Sequence, residues 1–381
     1  MQLFLSHKFR GVVLIVLCLG VAAPVYAATP TDHPTQSKAR ITQIVSQVEE
    51  PLGGSSAVSI IQHVKAELID GAERGTIVVA ENDVQPVVVG DTVYLTHTVD
   101  SLDNVDMYTV SELYRLPQLG YLALLFLVVL LCFGGLQGIR GLFSLGVSIL
   151  FIAYVLLPGV IGGYPALLVT VGVAGLIIIV GSYVTHGFTR VTTSAVVGMV
   201  ATIIVTGGIA FVAMQYLRLT GFASEEAVYL NLGTAGTIDF AGLLLGGILI
   251  GLLGVLYDAA IGQAVAVDEL YRARPDAERA YVYKRALRIG REHIGALVNT
   301  LAIAYVGVSL PLLLLFYSSA PEASLSFILN RELFVTELTR MMIGGIGIIL
   351  AVPVTTAIAV WFLEHTSKKK GFEPHKSHHS H

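Results

Sequence analysis

Eight apolar runs constrain this chain more than any other feature: residues 11–28, 119–133, 142–161, 165–184, 194–217, 240–267, 294–317 and 339–363. A helix needs about 20 such residues to cross the hydrocarbon core of a bilayer. The second run is short and begins nearer Pro117. The chain is 54% hydrophobic and only 13% charged, with mean hydropathy +0.75, whereas a soluble chain carries roughly a quarter charged residues. Its 39 glycines suit helices that approach closely in lipid. A net charge of −4 lacks the basic bias of a nucleic-acid binder. Cys18 and Cys132 both lie in apolar runs, so neither a disulfide framework nor a cysteine metal site is available. The expected fold class is a polytopic α-helical membrane protein of 7–8 transmembrane helices.

Charge sets the expected orientation. With the N-terminus inside, 15 of the 23 Lys+Arg are cytoplasmic: Lys8, Arg10, Arg140, Arg190, seven from Arg272 to Arg291, and Lys368, Lys369, Lys370 and Lys376. The short outer connections hold only Arg218 and Arg331. This bias is the positive-inside signature of a cytoplasmic-membrane protein. The basic loop 268–292 therefore reads as a topology signal rather than a nucleic-acid patch. Residues 1–28 read as a signal peptide or signal anchor, because Lys8 and Arg10 precede the apolar core and Val25, Tyr26 and Ala27 resemble a cleavage site.

One sizeable hydrophilic segment, residues 29–116, falls on the outer side, with 13 Asp+Glu against 5 Lys+Arg. β-branched runs at 57–69, 76–80, 87–89, 92–98 and 107–110, punctuated by Gly71, Gly75, Pro86 and Gly90, predict a small extracytoplasmic β-rich barrel or sandwich. Residues 29–54 read as a polar, flexible stretch or short helix. A multi-span domain follows over 117–365. The His-rich tail 366–381 reads as disordered and cytoplasmic. Residues 219–239 read as an interfacial helix plus loop, with a plain extracytoplasmic loop favoured over a re-entrant hairpin.

Asp258 is the most informative single residue. An acidic side chain near the middle of a membrane helix costs about 2.5–3.5 kcal/mol and usually marks an ion or substrate path. Gly247, Gly251, Gly254, Asp258 and Gly262 step by 4, 3, 4 and 4, which places them on one helical face. Such a face admits a neighbouring helix, so Asp258 is expected to point into protein. It reads as an ion- or proton-coupling carboxylate, or as a structural hydrogen-bonding group. In the last run Glu337, Arg340, Gly344 and Gly347 share a face, and Pro353 removes a backbone donor. Glu337 and Arg340 can pair, either to orient the helix or to contact substrate. Thr355 and Thr356 are placed to satisfy carbonyls freed by the proline. Asn299 needs a polar partner within the seventh run, and His293 at its cytoplasmic start is either a proton sensor or interfacial decoration.

No GxxxxGK[ST], HExxH or GxSxG pattern is present, and no metal site or cofactor is expected. Tyr257-Asp258 and Pro165-Ala166-Leu167 superficially match elements of intramembrane aspartyl proteases. That chemistry needs two carboxylates sharing a proton, and no Gly-x-Gly-Asp supplies the second. The chain is not expected to be an enzyme.

Three blocks together resemble the YibE/F-like membrane protein family. The first runs from Gly247 through Gly251, Gly254 and Asp258 to Asp268 and Glu269. The second holds Gly290, His293, Asn299, Tyr305 and Pro311, and the third holds Glu337, Arg340, Gly344, Gly347, Pro353, Thr355 and Thr356. The resemblance implies an extracytoplasmic β-rich domain, a multi-span bundle and a membrane transport role with no settled substrate. It transfers no catalytic or binding residue. The expected function is a secondary-active permease for an unknown small solute or ion, coupled to protons or cations through Asp258. The alternative is a membrane scaffold or sensor whose outer domain binds a partner. The expected partners are the lipid bilayer and that solute, not nucleic acid; the glycine faces also suit a homo-oligomer.

Overall fold

The computed structural model describes residues 35–51, 58–71, 73–99, 106–234, 236–319 and 324–369. The first apolar run, 11–28, and the tail beyond residue 369 lie outside the described residues. The chain divides into two compact units at Gly135, one holding a β-barrel and the other a helical bundle.

Five strands build the barrel: β1 (Thr35–Pro51), β2 (Val58–Leu68), β3 (Ile77–Asn82), β4 (Thr92–Val99) and β5 (Asp106–Leu113). Their order is β1-β2-β3-β5-β4, closed by β1 on β4. Every pairing is antiparallel except β3 with β5. This is the Greek-key arrangement of an OB-type barrel. Strict alternation does the work in β2 and β3: Val64, Ala66, Leu68, Val78 and Ala80 point inward, while His63, Lys65, Ile77 and Val79 point out.

Two sequence expectations change here. Residues 35–51 form the longest strand rather than a flexible stretch or helix. Among its described side chains only Ala39 and Ile41 are buried, so its pattern is faint and pairing on both sides, to β2 and β4, specifies it instead. Val87, Val88 and Val89 form no strand. They sit in the β3–β4 loop, held by two amides buried inside the barrel. Gln62 accepts from Val87 N (2.8 Å) and donates to Val87 O (3.2 Å), and Asn82 donates to Gln62 Oε1 (2.9 Å) and Gln85 O (2.7 Å). Buried amides persist only where they are so satisfied.

The helices are α1 (Leu116–Phe151), continued by a π-helical turn (Ile152–Leu156) and α2 (Leu157–Ile161); α3 (Ala166–His186); α4 (Arg190–Leu217); α5 (Glu225–Gly233); α6 (Phe240–Ala273); α7 (Arg279–Val308); α8 (Leu310–Ser319); α9 (Leu325–Leu329); and α10 (Glu332–Lys369). Side-chain caps start several of them. Thr189, Ser224, Asp239 and Ser324 each accept a hydrogen bond from a backbone N–H of the first turn. Ser224 opens α5 inside the segment expected to hold an interfacial helix. α10 packs on α6, α4 and α7, and α6 also packs on α3.

Among the described residues five helices are long and apolar enough to cross a membrane. They are Leu116–Ile161, Ala166–His186, Arg190–Leu217, Phe240–Ala273 and Glu332–Leu363. A sixth is counted if Arg279–Val308 and Leu310–Ser318, bent by 61°, act as one. The second and third apolar runs thus fall in one stretch of 46 residues, broken at Gly135 (φ 53°, ψ −143°).

Candidate functional site

α6, α7 and α10 enclose the site. Leucines on α6, among them Leu245, Leu249, Leu252 and Leu256, fill the bundle interior and fix which face of the helix turns outward. Asp258 lies on the opposite flank and is exposed. That flank borders a groove of about 260 Å³ lined by Asp258, Ala259, Gly262 and Gln263 of α6, Ile289, His293 and Leu297 of α7, and Val352 of α10. The residues from α7 step by four, so they present one face to the groove. His293 Nδ1 is 3.1 Å from the Ile289 carbonyl. With Nδ1–H donating there, Nε2 is the nitrogen left for chemistry.

Gln263 is the site residue that the sequence reading missed. It is buried, and Thr356 Oγ1 lies 2.8 Å from its Oε1 and 2.6 Å from the Val352 carbonyl. Thr356 thus bonds the carbonyl four residues back, not the Ile349 carbonyl that Pro353 leaves without its donor, and ties α10 to α6 at the groove floor. Gly290 makes this possible: a Cβ there would meet the Gln263 amide and would sit 2.5 Å from Val352 Cγ1. Thr355, one residue away, faces α4 instead, 2.5 Å from where a Cβ on Gly198 would be.

A second polar cluster lies where α7 meets α8 and α10. Glu337 and Arg340 pair at 3.5 Å, and Ser309 Oγ donates to Glu337 Oε2 at 3.5 Å. Tyr305, Ser309, Leu312, Phe334, Glu337 and Met341 line a mostly apolar pocket there of about 60 Å³. Two leucines pack α7 and α6 against glycines of α10. Leu301 fills the notch at Gly344 (2.7 Å from an added Cβ), and Leu252 fills that at Gly347 (2.6 Å). His293 and Tyr305 are twelve residues apart on α7, roughly 18 Å of helix.

The other expected positions are placed as follows. Asn299 is on the exposed side of α7 and outside the groove. Gly251 faces the Tyr305 hydroxyl, 2.6 Å from an added Cβ, but a Cβ at Gly247, Gly254 or Gly262 would meet nothing within 4 Å. The stepping glycine face therefore looks largely outward and does not seat a neighbouring helix along its length. The glycine that admits α3 is Gly246, where a Cβ would collide with Thr170. Among the described residues no group of three or more His, Cys, Asp or Glu is placed to hold a metal ion.

A family model described as YibE/F-like protein matches residues 122–365. No curated protein and no solved structure matches the chain.

Proposed function

The chain belongs to the YibE/F-like family, and from that premise we propose that it is a secondary-active permease of the cytoplasmic membrane, coupled to protons or cations through Asp258. One observation carries the reading: a carboxylate in an apolar helix lines a groove together with a buried amide and an imidazole. Ionisable groups at membrane depth are kept where they face protein or water and serve a path.

In this reading the basic ends of α6, α7 and α10 are cytoplasmic, and the barrel is outside. The 46-residue stretch measures roughly 69 Å at 1.5 Å per residue, more than twice a hydrocarbon core of about 30 Å. Gln137 Nε2 donates to the Thr185 carbonyl at 3.2 Å, which puts the residues just after the Gly135 break beside the cytoplasmic end of α3. Residues 116–134 and 136–161 then act as two spans. That gives seven spans, or eight with the N-terminal run.

The test is flux in proteoliposomes, read with a pH-sensitive dye against a panel of monovalent and divalent cations. Asp258→Asn keeps volume and hydrogen bonding but removes the titratable charge, so flux is lost while folded yield is kept. Asp258→Leu also loses flux. Full flux in the Asn variant ends the coupling role. Absence of any flux in the unmodified protein moves the weight to a scaffold whose barrel binds a partner.

A further inference from the structure

The barrel carries exposed apolar side chains that its own fold does not use. Val84, Val88 and Val89 are 53%, 62% and 59% exposed, yet their loop is not loose. Val87 beside them is buried and clamped by Gln62, Val88 N donates to Asp91 Oδ2 at 2.8 Å, and Gly90 N donates to the Ile41 carbonyl at 2.9 Å. A loop held this firmly, with its apolar side chains turned outward, presents them to something.

The same end of the barrel is where the chain leaves it. Tyr114 N donates to the Thr92 carbonyl at 2.9 Å, and α1 starts at Leu116, only three residues after β5 ends. Gly90, Asp91 and Thr92 line a pocket of about 310 Å³ jointly with Tyr114, Arg115, Pro117 and Gln118. The valine loop therefore lies level with the first turn of the apolar helix. The surrounding side chains have the character of a membrane interface, where amphipathic rings and long cations collect. Lys38 Nζ stands 4.7 Å from the Tyr114 ring centroid and 5.9 Å from that of Tyr94. Arg115 is exposed beside them and paired with Glu112 at 2.8 Å. Three of the five basic residues of this acidic segment, Lys38, Arg40 and Arg115, gather here, because Lys38 and Arg40 pair with Tyr94 and Thr92.

We infer that the β3–β4 loop and the Lys38–Tyr114–Arg115 cluster dock the barrel onto the lipid headgroup layer that α1 enters, with Val88 and Val89 inserted among the lipids. The inference rests on residue 116 beginning a membrane span, but not on which side of the membrane the barrel occupies, nor on transport. The docked barrel would hold its β2–β3 outer face at a fixed angle to the bilayer.

The experiment uses the full chain with Cys18→Ser and Cys132→Ser, reconstituted in nanodiscs with and without lipid carrying a nitroxide high on the acyl chain. Bimane is attached at Val88→Cys, Val89→Cys, Val79→Cys or Leu124→Cys in turn. Val79 is on the outward face of β3 and 58% exposed, so it reports bulk water. Leu124, inside the first span, reports lipid. Quenching of at least twofold at positions 88, 89 and 124, with none at 79, is the expected result. Quenching at 124 with none at 88 and 89 overturns the docking alone. No quenching at 124, 88 or 89 overturns the docking together with the span beneath it.

Discussion

At the level of single residues the groove depends on Gln263 and Gly290 as much as on Asp258. The amide was not legible in the sequence, since one Gln in an alanine-rich turn carries no periodic signal. Only the opposing Gly290, whose missing side chain makes room for it, betrays its place. The pair yields two separable expectations. Gly290→Leu forces Val352 and Gln263 apart and, like other overpacking, costs about 1–3 kcal/mol, read as a lowered melting temperature in detergent. Gln263→Leu leaves Thr356 its bond to the Val352 carbonyl, so the stability loss stays within about 1 kcal/mol. Flux falls nonetheless, because the groove loses its amide. A Gln263→Leu protein that melts far lower would make the residue a structural strut. Asp258 was legible because a charge in an apolar run stands out. Its outward orientation was not, because that is fixed by the leucines packed on the opposite flank.

At the level of elements, glycine spacing misled where leucine placement decided. Gly246 and Gly247 are adjacent in sequence, and the stepping pattern selects Gly247. The buried side of α6, defined by Leu245, Leu249, Leu252 and Leu256, selects Gly246. Hydrophobic burial outweighs a small-residue pattern here, so the tight crossings lie elsewhere. An added Cβ at Gly198 would come within 3.0 Å of the Thr355 backbone, which cannot swing aside as a side chain can. Gly198→Leu is therefore expected to abolish folded, monodisperse protein by size-exclusion chromatography. Gly247→Leu and Gly254→Leu, which meet open space, are expected to leave yield and melting temperature unchanged. Loss of folded protein in the latter pair would mean that this face is covered by a second copy of the chain. Among the strands, β2, β3, β4 and β5 were legible from alternation and turn residues. β1 was not, since a strand paired on two sides in a small barrel needs few buried side chains of its own.

For the whole molecule, long apolar runs and the resemblance carried over the chain made the membrane bundle and the family legible, and the barrel followed from β-branched runs between glycine turns. The closure of those strands depends on pairings distant in sequence, which no local pattern encodes. The basic asymmetry predicts that a reporter fused after Leu116 is extracytoplasmic, whereas fusions at Tyr281 and Lys376 are cytoplasmic. A cytoplasmic barrel would invert every assignment of inner and outer site. The proposed coupling requires Asp258 to face a water-filled groove open to the cytoplasm rather than lipid. Gly262 lines that groove, and a Cβ there meets nothing within 4 Å, so Gly262→Cys fits without disturbance. With Cys18 and Cys132 replaced by Ser, a membrane-impermeant maleimide should label Gly262→Cys in inverted vesicles and not in right-side-out ones. Labelling in neither orientation, or only from the outside, would contradict the account.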